Sequence, residues 1–191
     1  MIAGCSDKYS IAAGREERGN LMLDKNVAKL LNDQINAEFY SAYLYLDFSN
    51  FYTDESLDGY ANWFMIQAQE ERDHAMLFLQ YMQKNDESVT LEAIAKPDKV
   101  CRELSDPLEY SLEHERYVTS LIHNLYGAAL SVNDFRTMQF LDWFVKEQIE
   151  EEDNADTNLK RFRRFGSDTK ALYDLDAEMA DRTYSAPSLT V

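Results

Sequence analysis

Four stretches of this chain repeat apolar residues every three or four positions, the period of a helix with one buried face. Each interrupts that seam near its middle with an acidic residue. The first seam reads Val27, Leu31, Gln34, Glu38, Ala42, Tyr45 and Ser49; the second reads Leu57, Tyr60, Phe64, Gln67, Glu71, His74, Phe78 and Tyr81. The third is Leu108, Leu112, Glu115, Thr119, Ile122, Tyr126 and Ala129, and the fourth is Leu141, Phe144, Gln148, Glu151, Ala155, Leu159 and Phe162. A carboxylate in a helical core costs several kcal/mol even after relaxation. One of them is explained by a misplaced register. Four at matching depth need a shared counter-charge, and a pair of hard-to-borderline cations is the simplest.

The punctuation between the seams sets the architecture. Only three prolines and six glycines occur in 191 residues, which favours long uninterrupted helices. The first helix is predicted from Asp24, a good N-cap, to about Tyr52, and the second from beyond Asp54 to about Lys84. Residues 85–105 lack a strong period and are too many for an antiparallel turn. They read as a crossover running the length of the bundle. The third helix is predicted to open at Asp106-Pro107, with Asp106 as the cap. A short turn, 131–134, leads into a fourth helix over about Phe135–Phe165 that stops at Gly166 as its C′ residue. A short fifth helix over about Thr169–Asp181 carries Leu172, Leu175, Ala177 and Met179. The expected fold is all-α: a four-helix bundle over residues 22–182 with one long crossover and a short fifth C-terminal helix. Residues 1–21 are expected to be a flexible N-terminal tail and 183–191 a C-terminal tail.

Composition narrows the function classes. A net charge of −16, from 35 acidic and 19 basic residues, argues against nucleic acid as a partner, because phosphate binding needs a basic face. No apolar run approaches the ~20 residues that span a bilayer, so no membrane partner is expected. Cys5 and Cys101, the only cysteines, form neither a disulfide framework nor a Cys-x-x-Cys motif, and a reducing, cytoplasmic setting is the expectation.

At mid-bundle, oxygen donors with one imidazole select divalent iron, manganese or zinc. Glu71 and His74, at i and i+3, project from one helical face and can reach one ion, with Glu38 completing that set. Glu115 and Glu151 would hold a second ion, with Gln148 nearby and Glu71 placed to bridge. Two bridged ions of variable valence can share the electrons that reduce dioxygen. Singly, each residue has a plainer reading: His74 as a core histidine, Glu38 or Glu115 as an exposed face, and Glu152 and Asp153 as solvated surface. The joint pattern on four helices does not.

The single glutamates Glu38 and Glu115 and the motif Glu71-Arg72-Asp73-His74 resemble the ligand pattern of ferritin-like di-iron bundles. The remaining motif departs from it, with Gln148 at its first ligand position and Asn154 where a second histidine would follow Glu151. In that departure, and in the stretches 32–41 and 143–148, the chain is similar to the bacterial non-haem ferritins over roughly Met22 to Asp181. The resemblance implies a ferroxidase that oxidises Fe(II) with O2 or H2O2 and stores ferric mineral in a cage, a homo-oligomeric 24-mer. It implies Glu38, Glu71 and His74 on the first iron, and Glu71, Glu115 and Glu151 on the second, with Gln148 adjacent. It further implies a third iron site at Glu70, Glu147 and Glu150, and Tyr45 as the tyrosine beside the centre that donates an electron. Arg72 stands where a haem-ligating methionine would follow Glu71, so no haem is expected. Two other readings remain at this stage: a di-iron peroxidase without mineral storage, and an acidic helical scaffold that binds no metal.

Overall fold

The computed structural model describes residues 23–191. The expected N-terminal tail and Cys5 lie outside the described residues. Five helices follow in order: α1 (Lys25–Asp54), α2 (Asp58–Lys84), α3 (Asp106–Ser131), α4 (Phe135–Phe165) and α5 (Thr169–Ala180). No strand occurs among the described residues. None of the helices there is long and apolar enough to cross a membrane.

Local chemistry starts these helices. The Asp24 carboxylate accepts from the Asn26 backbone N–H at 2.8 Å, Asp134 accepts from that of Thr137 at 3.0 Å, and Asp168 from that of Ala171 at 2.8 Å. Asn133, one of few non-glycine residues at positive φ (58°), turns the chain between α3 and α4, a conformation asparagine tolerates. The segment 85–105 runs without helix, as expected of a crossover. Asn32 holds it to α1 by bonds to both the N–H and the carbonyl of Thr90.

Three expectations need correction. Ser105, not Asp106, is the N-cap of α3, and it makes no side-chain cap bond. The Asp106 carboxylate instead closes the crossover's last turn by accepting from the N–H groups of Arg102 at 2.7 Å and Glu103 at 2.9 Å. Gly166 does follow α4, but with φ −66°, so left-handed freedom is not what it supplies. A Cβ there would meet the Phe162 carbonyl oxygen at 2.7 Å, so close approach is the reason for glycine. The α3 seam is broader than its period suggested: Thr119 and Tyr126 are half-buried, whereas Ser111, His114, Val118 and Leu125 are buried. Ala155, Phe162 and Leu172 are likewise half-buried, and Ala177 is exposed.

The core is divided. One apolar cluster joins Val27, Leu31, Phe78, Ile122, Leu141 and Phe144 toward one end. A second joins Phe48, Tyr52, Phe64, Leu108, Leu159 and Met179 toward the other. Each buries enough side-chain area to stabilise its end by roughly 1.5–3 kcal/mol per large residue. The mid-seam acidic residues form a polar layer between them. At the second end α5 docks on α2 so closely that a Cβ on Gly59 would fall 1.7 Å from the Asp176 carbonyl oxygen. The Asp176 carboxylate accepts from the Tyr60 N–H at 3.0 Å.

Candidate metal centre

The polar layer is shielded from solvent. Glu38, Glu71, His74, Glu115, Gln148, Glu151 and Tyr45 are all buried, with Glu38 and Glu115 each only 1% exposed. Glu38 reaches it from α1, Glu71 and His74 from α2, Glu115 from α3, and Gln148 and Glu151 from α4. Helical spacing does this directly: α1 and α2 present these candidate ligand residues on the stripe that buries Leu31 and Phe78.

Ligand atoms of Glu38, Glu71 and His74 all lie within 4.8 Å of one another, the one such cluster among the described residues. The His74 Nδ1 is 3.5 Å from Glu71 Oε2, and its ring is backed by Trp143 and Phe144 at 5.5 and 5.8 Å between centroids. Gln34 Nε2 donates to Glu38 Oε1 at 2.8 Å, while Glu38 Oε2 has no hydrogen-bond partner among the described residues. A buried carboxylate oxygen without a donor is costly, and a divalent cation on this oxygen-and-imidazole set would remove the cost.

The other carboxylates are held by protein donors. The Tyr45 hydroxyl donates to Glu115 Oε1. Gln148 Nε2 donates to Glu115 Oε2 at 3.1 Å and also lies 3.3 Å from Thr119 Oγ1. Gln67 Nε2 donates to Glu151 Oε2 at 2.8 Å. Gln148 therefore turns its amide toward Glu115.

Electrostatics follow burial. Desolvation pushes Glu38 well above the carboxylate range, and the neighbouring Glu71 charge adds to it. Glu71 is pushed up by desolvation first and then by the Glu115 and Glu151 charges. Glu115 is pushed up to about 8 by desolvation and by Glu151, and desolvation also raises Glu151. Burial and mutual repulsion thus favour the protonated forms of these carboxylates.

The outer carboxylates differ. Glu70 and Glu147 are half-buried and Glu150 is exposed. Burial raises Glu70, against the lowering effect of the Arg182 guanidinium with which it is ion-paired. Sequence reasoning missed this pair. It also missed His114, which sits 2.8 Å from Ser41 Oγ and is lowered to about 4 by desolvation, so it stays neutral. Gln34 and Gln67 stood in the seams without an assigned role. For Gln34 the position four residues before Glu38 was the available signal; Gln67 bonds Glu151 across helices, which no spacing shows.

Residues 28–165 match the family model described as a ferritin-like domain. The chain is 34% identical over 163 residues to the bacterial non-heme ferritin of Staphylococcus aureus (strain USA300), covering 85% of this chain and 98% of that one. It is 34% identical over 164 residues to the bacterial non-heme ferritin of Staphylococcus epidermidis, covering 86% and 99%. Among solved structures, an open pore ferritin from the hyperthermophilic archaeon Archaeoglobus fulgidus superposes with TM-score 0.82 at 38% identity, covering 84% and 98%. A closed form of that ferritin, engineered by site-directed mutagenesis, gives 0.83 at 37% identity, covering 85% and 99%. With a matched family model over most of its length and relatives of this identity and coverage, the chain belongs to the ferritin-like domain family.

Proposed function

We propose that the protein is an iron-storage ferroxidase that oxidises Fe(II) with O2 or H2O2 at a two-iron centre inside each subunit. The ferric product would be stored in a homo-oligomeric cage, for which the family resemblance gives 24 subunits. The observation that carries the reading is the buried Glu38–Glu71–His74 cluster, with its unpartnered Glu38 oxygen, set against the Glu115–Glu151 pair.

In this reading Glu38, Glu71 and His74 bind the first Fe(II), and Glu71, Glu115 and Glu151 bind the second, so that Glu71 bridges. Two Fe(II) ions side by side supply the two electrons that take O2 and two protons to H2O2. The chain's own part is to bind, orient and handle protons. Glu38 and Glu115, raised by burial, release protons as iron replaces them. Gln34 and Gln67 hold one oxygen each of Glu38 and Glu151, leaving the other oxygens free to turn toward metal. Gln148 positions Glu115, and Tyr45, bonded to the same carboxylate, would pass an electron into the centre only where O2 is taken past H2O2 to water, a four-electron step in which two electrons come from the centre, one from a further Fe(II) and one from Tyr45. Glu70, Glu147 and Glu150 would form the third, outer site. Haem has no part in this reading. A reducing cytoplasm would keep the iron substrate ferrous.

The test is direct. Fe(II) added aerobically should give rapid ferric absorbance with about two ions oxidised per subunit in the first phase, and the assembly should elute as a large cage. A slow, uncatalysed rise identical to that of buffer alone rejects the ferroxidase.

A further inference from the structure

The helices α2 and α4 nowhere bring their Cα atoms within 8 Å of each other. Their seam is filled by side chains, with Phe78 stacked on Phe144 at 4.2 Å and His74 set edge-on to Trp143. The segment after α5 lies along this seam and is anchored at four levels. Asn62 Nδ2 donates to the Arg182 carbonyl at 3.1 Å. The Arg182 guanidinium lies 4.0 Å over the Trp63 ring, donates to the Trp63 carbonyl at 3.3 Å and pairs with Glu70. The Tyr184 hydroxyl donates to Asp73, and Trp143 Nε1 donates to Ser188 Oγ at 3.0 Å. Leu189 and Val191 then pack on the apolar cluster of Phe78 and Tyr81. The C-terminal tail is thus bound against the bundle. The family model ends at residue 165, so this segment lies beyond the part of the chain it describes.

The contact at Glu70 has chemical content. Glu70 and Arg182 are 17% and 15% exposed at their side chains, so the pair is shielded from solvent. The indole face adds a cation–π contact to the ion pair. A divalent cation approaching Glu70 must therefore displace a cation already fixed there by three kinds of bond. We infer that residues 181–191 form a strap that closes the outer carboxylates to metal, with Arg182 as the built-in cation on Glu70. Glu70, Glu147 and Glu150 take an ion only when the strap lifts. The inference rests on the two-ion reading of the inner centre. It makes the chain a two-site protein at rest and a three-site protein once opened. Because Trp143 touches both His74 and Ser188, the strap also bears on the wall behind the inner centre.

The test is an anaerobic titration of the full-length assembly with Zn2+, a redox-silent probe, followed calorimetrically. The intact protein should bind two ions per subunit, and Arg182→Ala should bind three, with Arg182→Lys returning to two. Adding Glu70→Gln to Arg182→Ala should also return the count to two. Three ions in the intact protein, or two in Arg182→Ala, overturns the strap and leaves the inner centre standing. No binding by the intact protein, or binding indifferent to Glu38→Ala, overturns the two-ion reading itself. Trypsin cleavage after Arg182 gives a second readout on the native chain. It should accelerate about tenfold in Glu70→Gln and severalfold on excess Zn2+ in the intact protein, because binding and release are linked reciprocally. Cleavage indifferent to both overturns the proposal.

Discussion

The α1–α2 half of the bundle and the α3–α4 half carry their candidate metal-ligating residues in different states. Glu38, Glu71 and His74 converge within 4.8 Å, and Glu38 keeps one oxygen without a donor. Glu115 is bonded by both Tyr45 and Gln148, and Glu151 is bonded by Gln67. The first half is poised for a cation. In the second, both oxygens of Glu115 are bonded by protein donors that a cation must displace or reorient, whereas Glu151 is held at one oxygen only. The difference teaches that burial alone does not make a ligand available; the state of its lone pairs decides. It also implies ordered loading, first on the α1–α2 side.

The largest effect should come from breaking the poised half. Glu38→Ala or His74→Ala is expected to slow the initial Fe(II) oxidation by at least ~100-fold, since removing even supporting residues of a metal site costs 10–100-fold. Stopped-flow absorbance measures it, and native mass should show the assembly intact. Unchanged rates in both variants dispose of the site.

A smaller effect should sharpen the comparison from the other side. Gln148→Glu replaces a neutral donor on Glu115 with a charged ligand. It is expected to tighten the second ion about tenfold, or ~1.4 kcal/mol, with slower turnover. Equal affinity and rate would mean that Gln148 does not bear on the second ion.

The protons held by the layer give a pH signature. Glu115 is pushed from the ordinary 4.5 up to about 8. Between those values the folded, metal-free protein holds more protons than the unfolded chain, so this group's stabilisation is full below about 4.5 and lost by about 8. The Tm of metal-free protein should therefore fall from pH 5 to pH 8, and Glu115→Gln should flatten that fall. Metal binding, which expels the same protons, should instead tighten as pH rises. A metal-free Tm that climbs over this range contradicts the assignment. The smallest effect belongs to exposed Glu150, where Glu150→Ala should change initial oxidation by less than about twofold, as expected for a solvated charge.

Legibility in the sequence followed packing symmetry. Every residue assigned to the α1 and α2 seams is buried, because each helix shows one face to one core. The α3 seam was half legible. His114 and Ser111 are buried on a flank where the Ser41 hydroxyl meets the imidazole, a contact 73 residues apart in sequence that no period encodes. The inner carboxylates were legible because a charged residue in an apolar stripe needs a reason. The state of their oxygens was not, since it depends on Gln67 and Gln148 reaching across helices. The strap was invisible, because it has no period and its key pair, Arg182 with Glu70, spans 112 residues.

The most direct test of the central claim is to locate the ions. Anomalous diffraction from crystals soaked anaerobically in Fe(II) should give two peaks per subunit, the first filling between Glu38, Glu71 and His74 and the second between Glu71, Glu115 and Glu151. Peaks confined to the exterior, or none at all with the inner carboxylates unchanged, would contradict it.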